Sequence, residues 1–212
     1  MRAKKSSLGK KTIKWCLFII GMIILTFGAR ILLLSNLGVG GLDAIAIGLA
    51  EWTGLSIGVL IIVLGTLLII IGSLINRRLS IIPIGVSMII GLLYDLWGTI
   101  LFNKIEWIIK QPYAGYIFLL GILIAPFGAA LYILSGISVG PVDYLMLAIR
   151  RRKGISLQNS RIFIESMFVL LAWLVRGPIG VGTICIMLFW GLILQIYYQL
   201  LLPFTEKYIK GY

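Results

Sequence analysis

One short motif occurs twice in this chain, at positions that differ by 100 residues. Residues 37–43 read Leu-Gly-Val-Gly-Gly-Leu-Asp, and residues 137–143 read Ile-Ser-Val-Gly-Pro-Val-Asp. The same offset relates Phe27-Gly-Ala to Phe127-Gly-Ala, upstream of the motif. A constant offset of this kind indicates an internal repeat in which each copy is one structural unit. The predicted organisation is a basic tail at 1–14, a first copy at 15–103, a loop at 104–113, a second copy at 114–203 and a tail at 204–212.

The composition restricts the environment in which such a repeat can fold. Hydrophobic residues make up 60% of the chain, charged residues make up 12%, and the mean hydropathy is +1.09. These values lie outside the range of soluble globular domains. Several apolar runs approach the roughly 20 residues that a helix needs to cross a bilayer, whereas a membrane barrel would alternate apolar and polar residues. We therefore predict an all-α polytopic membrane protein.

Each copy contains three long apolar runs and one short helical segment. Counted with the closing Glu51 and Trp52, the first short segment has nine helical residues, which rise about 14 Å, or half a bilayer, so the short segments are not expected to cross. With six spans, the main basic clusters all lie on the side of the N-terminus, as expected for cytoplasmic loops. Because three spans are an odd number, the second copy is inverted relative to the first. The predicted spans are 15–35, 55–75, 80–102, 114–135, 156–175 and 179–202, and the main basic clusters are 2–14, 77–78, 150–153 and 207/210.

The short segments at 44–50 and 144–149 are either re-entrant half-helices or helices that lie on the membrane surface. The small residues Ala44 and Gly48 are spaced for close helix packing, which favours the re-entrant alternative. We expect Asp43 to be the N-cap of the first short helix, since Asp is a good capping residue. The turns would be made by Gly38, Gly40 and Gly41 in the first copy and by Gly140 and Pro141 in the second. We expect Gly40 and Gly140 to need a conformation or a closeness that a Cβ forbids.

Charged residues inside membrane spans are functional candidates by default. Arg30 and Asp95 lie at similar depth, so we expect an ion pair that either fixes the helices or contacts a substrate. Asp43 and Asp143 either cap helices or take part in transport as charged groups. Arg161 pairs with Glu165 one helical turn away, and we expect the Arg161 side chain to extend to the cytoplasmic interface. The candidates for substrate binding or ion coupling are Arg30, Asp43, Asp95, Asp143, Glu165 and Gln195.

Other functional classes find little support in the sequence. The net charge of +12 comes from clusters between apolar runs, so we predict no nucleic-acid partner. The chain has no His, and its two Cys residues do not occupy matching repeat positions, so we predict neither a metal site nor a disulfide. No catalytic or nucleotide-binding motif is found, and we predict no enzyme activity and no cofactor. The expected partners are the lipid bilayer and a small-molecule substrate, and the sequence is compatible with a monomer or a homo-oligomer.

The chain resembles a known group of bacterial membrane proteins. The motif at 37–43 after an apolar span, Gly54-Leu-Ser-Ile-Gly58, and Ile90-Gly-Leu-Leu-Tyr-Asp95 are together similar to the YczE/YyaS/YitT group. That group tends to carry Gly-Thr at the start of the third span. The second copy keeps this pair as Gly182-Thr183, whereas the first copy has Ile82-Pro83. The resemblance implies an integral protein of the bacterial cytoplasmic membrane with a poorly defined biochemical role.

Two functions remain open from the sequence. Inverted repeats with discontinuous helices are typical of secondary transporters, so the leading hypothesis is a small-molecule transporter of unknown substrate. The alternative is a non-transporting partner that organises another complex through the basic residues at 150–153, or through their attraction to anionic lipid. A polar cavity at mid-membrane favours the transporter. A dry interior with an exposed apolar groove favours the partner.

Overall fold

A computed structural model describes residues 2–77, 80–105, 113–154 and 157–205, and the regular structure of these residues is helical. The predicted loop at 104–113 and tail at 204–212 lie largely outside the described residues, as do Arg78, Lys207 and Lys210. The helices are α1 Arg2–Leu34, α2 Gly41–Thr53, α3 Ile57–Asn76, α4 Ile82–Ile105, α5 Ala114–Leu134, α6 Pro141–Lys153, α7 Leu157–Leu174 and α8 Val181–Thr205.

Five of the described helices are long and apolar enough to cross a membrane. The chain is therefore a multi-pass membrane protein, as the composition predicts. α7 does not meet this standard, because its N-terminal half carries polar residues together with Arg161 and Glu165. The candidate spans are Lys10–Leu34, Ile57–Asn76, Ile82–Ile100, Ala114–Leu134 and Val181–Thr205.

The short helices are longer than the sequence predicts and begin earlier. α2 and α6 each have 13 residues, and their boundaries differ by 100 positions. Gly40 and Gly140 are the N-caps, and neither helix start has a side-chain cap. The prediction that Asp43 is the N-cap is wrong, because Asp43 is the third residue of the helix. Ser56 is the N-cap of α3, since its side chain accepts a hydrogen bond from the Val59 N–H at 3.2 Å.

α1 and α5 form the most extensive helix contact and cross closely at small residues. A Cβ added at Gly28 would lie 2.5 Å from the backbone nitrogen of Ala125. A Cβ added at Gly21 would lie 2.5 Å from the backbone nitrogen of Tyr132. Small residues at a membrane-helix crossing let the two backbones approach and increase dispersion contacts. The first long helices of the two copies are thus held against each other at the centre of the fold.

Each short helix packs on a long helix of the other copy. α2 lies along α7, where a Cβ on Gly41 would be 2.6 Å from Cβ of Phe168 and a Cβ on Gly48 would be 2.5 Å from the carbonyl oxygen of Val175. The sequence prediction of close packing at Gly48 is confirmed. α6 lies along α3 in the corresponding way, with Pro141 beside the middle of that helix at Gly65. Both short helices therefore begin level with the middle of a long helix.

The glycine that the first turn requires is Gly38, and not Gly40 as the sequence predicts. Gly40 has φ −57° and Gly140 has φ −67°, values that any residue adopts. A Cβ at Gly40 would meet only Asp43 Oδ2, at 3.5 Å, and one at Gly140 would lie 3.1 Å from the Tyr132 hydroxyl. Gly38 has φ +112°, and a Cβ there would lie 2.6 Å from Oγ1 of the buried Thr183.

We expect Gly38→Ala to destabilise the protein and Gly40→Ala to leave it nearly unchanged. The first substitution combines a disfavoured φ with a backbone clash, for a cost of roughly 1–3 kcal/mol. The second adds a methyl group in ordinary van der Waals contact, so it is the matched control two residues away. Thermal unfolding of both purified variants measures the difference. Equal melting temperatures for the two variants would contradict the turn geometry.

Candidate functional site

A cavity of about 140 Å³ lies between the N-termini of α2 and α6. Residues 40–43 line it from the first copy, and residues 140–143 line it from the second. The two occurrences of the repeated motif thus meet at one place. Every one of the eight described helices contributes at least one side chain to the walls.

The second copy closes its own helix N-terminus with a tyrosine and a carboxylate. The Tyr132 hydroxyl donates a hydrogen bond of 2.5 Å to Oδ2 of Asp143 and accepts one of 3.3 Å from the backbone N–H of Gly140. Residues at the start of a helix have backbone N–H groups without intrahelical partners, and negative charge is stabilised there. Asp143 and Tyr132 therefore satisfy the α6 N-terminus from within the chain.

Arg161 lies in the cavity wall and not at the membrane interface, so the prediction for its side chain is wrong. Its side chain is only 13% exposed. Nη1 lies 3.9 Å from Oδ1 of Asp143, and Nη2 lies 3.7 Å from Oε1 of Glu165, which confirms the predicted pairing with Glu165. The guanidinium carbon stands 5.6 Å from the centre of the Trp190 ring, within the range of a cation–π contact. One cation is thus surrounded by two carboxylates and an indole.

The N-terminus of α2, in the first copy, is covered by an acid from the second copy, Glu165. The Glu165 carboxylate lies beside Gly41, the first residue of α2. A Cβ on Gly41 would stand 3.2 Å from Glu165 Oε2, so glycine is needed for this approach. Asp43 also lines the cavity, in the first turn of the same helix. Three carboxylates, those of Asp43, Asp143 and Glu165, therefore face one small space.

Arg30 lies one layer behind the cavity. Tyr94 lines the cavity and is only 1% exposed, and the guanidinium carbon of Arg30 stands 5.1 Å from the centre of its ring. Gly98 leaves room for the guanidinium, because a side chain at this position would overlap it. Arg30 is buried and acts on Asp43 through its charge.

Asp95 has a structural position. Its carboxylate accepts hydrogen bonds from the Ser56 hydroxyl at 2.6 Å and from the Gly58 N–H at 2.8 Å, so it holds the N-terminus of α3. The described partners of Asp95 thus lie at the start of α3, and the ion pair with Arg30 stays a prediction. Gln195 is exposed on α8 and does not line the cavity.

The structure thus brings together half of the predicted site residues. It places Asp43, Asp143 and Glu165 around the cavity, and it leaves Arg30, Asp95 and Gln195 outside the lining. Sequence reasoning missed the aromatic residues Tyr94, Tyr132 and Trp190 and underrated Arg161. The available signal for Arg161 was its position one turn before an acid inside a predicted membrane span.

The helices and the central polar cavity define a polytopic α-helical membrane protein. The chain belongs to the family of unknown function DUF6198, whose model matches residues 12–199. The uncharacterized protein YyaS of Bacillus subtilis (strain 168) is 28% identical over 203 residues, or 94% of this chain and 100% of that protein. The uncharacterized membrane protein YczE of the same organism is 32% identical over 187 residues, or 86% and 84% of the two chains. The predicted resemblance to a YczE/YyaS-like family is confirmed.

An uncharacterized protein of Haemophilus influenzae is 27% identical over 191 residues, which cover 90% of this chain and 85% of that protein. No solved structure matches the chain.

We expect Arg161 and Glu165 to be more strongly coupled in energy than Arg30 and Asp95, because the Asp95 carboxylate is already held by Ser56 and Gly58. In a double-mutant cycle with Arg161→Gln and Glu165→Gln, side chains in contact should show a coupling of about 1–2 kcal/mol. The cycle with Arg30→Gln and Asp95→Asn is the matched control, with coupling below about 0.5 kcal/mol. Thermal unfolding in detergent gives both values. The reverse order of couplings would contradict the observed contacts.

Proposed function

We propose that the chain is a small secondary transporter of the bacterial cytoplasmic membrane. The observation that carries this proposal is that the N-termini of two short helices, one from each copy, meet at one cavity, whose mostly apolar wall holds the carboxylates of Asp43, Asp143 and Glu165. Discontinuous helices whose ends meet at mid-membrane form the binding sites of many secondary transporters. The link from this arrangement to transport is an analogy of architecture, and its test is given below.

The proposal includes six spans in two inverted copies, with α7 as the sixth span. α2 begins beside Glu165, near the middle of α7, and ends near Val175, so it runs from mid-height toward one surface. α6 begins beside Gly65, near the middle of α3, and runs toward the end of α3 at Gly72. These positions favour re-entrant half-helices over helices that lie on the membrane surface. We assign both termini to the cytoplasm, because the basic end of α6 and Arg77 then share that side.

The two turns differ in how tightly they are packed, which supports alternating access. In the first copy the Leu37 carbonyl accepts a hydrogen bond of 2.8 Å from the Gly182 N–H, and Gly38 lies against Thr183. At the equivalent place in the second copy there is a second cavity of about 270 Å³, lined in part by Pro83 and Ser138. In the proposed orientation the external turn is closed and the cytoplasmic turn is looser. If the external turn opened while the cytoplasmic turn closed, and the reverse, the central cavity would be exposed to each side of the membrane in turn.

The alternative of a non-transporting partner has one observation in its favour. The last turn of α6 exposes Arg150, Arg151, Arg152 and Lys153, a surface suited to an acidic partner or anionic lipid. Such a role does not require the central cavity to open. Access to the cavity therefore separates the two functions without knowledge of the substrate.

We expect a thiol in the cavity to be reached from both sides of the membrane. Ala29 lines the cavity, so Ala29→Cys in a chain with Cys16→Ala and Cys185→Ala should react with a membrane-impermeant maleimide in right-side-out and in inside-out vesicles. Ala125→Cys is the control, because Ala125 is buried between α1 and α5 away from the lining and should react in neither. Labelling of Ala29→Cys from one side only, or from neither, would contradict transport.

A further inference from the structure

The charges around the central cavity are unbalanced. Three carboxylates, those of Asp43, Asp143 and Glu165, face it. Two guanidinium groups oppose them, Arg161 in the wall and Arg30 behind Tyr94. With every group ionised, these described side chains carry a net charge of −1. An unpaired charge in a water-poor interior is costly, and either a proton or one bound monovalent cation relieves it.

The helix N-termini that would attract an anion are already occupied. Glu165 lies at the N-terminal amide of α2, and Asp143 with Tyr132 lies at the N-terminus of α6. In transporters that bind a substrate anion, such termini are left for the substrate group. An anion entering this cavity would meet three carboxylates instead. The arrangement therefore disfavours an anionic substrate and favours a cationic one.

The cavity wall already accommodates one organic cation, which is the guanidinium of Arg161. Its contacts with Asp143 and Glu165 are 3.9 and 3.7 Å long, whereas charge-assisted hydrogen bonds measure about 2.7–2.9 Å. Trp190 offers its ring face to this guanidinium at 5.6 Å. An aromatic face with nearby carboxylates is a recognised environment for organic cations. Because neither ion pair is tight, a second cation can share these acids.

A buried hydroxyl provides an independent sign of a missing ligand. Tyr94 lines the cavity at 1% exposure, and its hydroxyl has no hydrogen-bond partner of acceptable geometry among the described residues. Buried polar groups are almost always satisfied, so an exception calls for a cause. The oxygen can accept a hydrogen bond from a ligand N–H. The cavity of about 140 Å³ has room for a ligand of a few non-hydrogen atoms.

We propose that the central cavity binds a small monovalent organic cation that carries N–H donors, of the guanidinium or alkylammonium class. The carboxylates of Asp43 and Glu165, the ring of Trp190 and the hydroxyl of Tyr94 recognise it. That this cation is the transported substrate rests on the proposed function. Its binding can be tested without measuring transport.

The test compares three planar probes of nearly equal shape and different charge on the purified full chain. Guanidinium carries a positive charge, urea is neutral and nitrate is negative, and each has four non-hydrogen atoms. At about 10 mM probe and constant ionic strength set with sodium chloride, we expect guanidinium alone to raise the melting temperature, by about 2–4 °C. Equal or larger stabilisation by nitrate or urea would overturn the proposal, and so would no response to any probe. Equal stabilisation when potassium replaces guanidinium would also overturn it, because the site would then be a metal-ion site.

Two variants locate the binding. Asp43→Asn keeps the side-chain shape and removes one cavity charge, so it should weaken guanidinium binding at least tenfold. Glu51→Gln removes an exposed acid from the far end of the same helix and should leave binding unchanged. A response retained in Asp43→Asn, or lost in Glu51→Gln, would overturn the site assignment. The comparison of probes on the unaltered chain stands even where a variant fails to fold.

The failure of this proposal and the failure of transport give different results. If guanidinium does not bind but Ala29→Cys is labelled from both sides, the cation class is wrong and transport stands. If guanidinium binds and labelling is confined to one side, the cavity is a cation site and transport is wrong.

Discussion

The N-termini of α2 and α6 lie inside the protein, where water cannot satisfy their backbone N–H groups. In a membrane, irregular backbone is tolerated only where protein or a polar cavity supplies the missing partners. The Glu165 carboxylate lies beside Gly41, and the Tyr132 hydroxyl accepts a hydrogen bond from the Gly140 N–H. Both partners lie on other helices, so each half-helix can hold its position only when the bundle around it is assembled. The polar cavity follows from this requirement, since the groups that satisfy two broken helices gather at one point.

The two copies satisfy this requirement in different ways. The acid that serves the first half-helix comes from the second copy, whereas the tyrosine that serves the second half-helix lies within its own copy. Arg161 has the apolar Ile61 as its counterpart, and Glu165 has Gly65. The repeat therefore keeps the backbone plan, while the second copy adds two charged side chains to the cavity wall, those of Arg161 and Glu165. On the proposed topology, such asymmetry gives the two faces of the membrane different closing contacts.

Much of the fold could be predicted from the sequence, because the constant offset and the apolar runs fix the number and order of the helices. The ends of the short helices were misjudged, since Gly41 and Thr53 have weak helix propensity; Gly41 is held in α2 by packing against Phe168 of α7, and the exposed Thr53 bonds back to Leu49 of its own helix. Asp43 and Asp143 were identified from the duplicated motif. The depth of a residue along its predicted span does not say which face of the helix the residue occupies.

Residues at equal depth are not always neighbours, and this limits prediction of the site. Arg30 and Asp95 share a depth, yet Asp95 turns toward Ser56 on α3. Arg161 lies near the end of a predicted span, yet its side chain lines the cavity. There it contacts Trp190 of α8 and Asp143 of α6, and these contacts could not be read from the sequence of α7. Contacts between copies determine the cavity, and a single sequence does not contain them.

The central claim is that the two copies are inverted, so that the half-helices leave the cavity in opposite directions. Glu51 and Arg151 occupy equivalent positions near the outer ends of α2 and α6, and both are exposed. In a chain with Cys16→Ala and Cys185→Ala, a membrane-impermeant maleimide should label Glu51→Cys in intact cells. It should label Arg151→Cys only after the cells are permeabilised. Labelling of both positions from the same side would contradict the inverted arrangement and the cavity-centred account that depends on it.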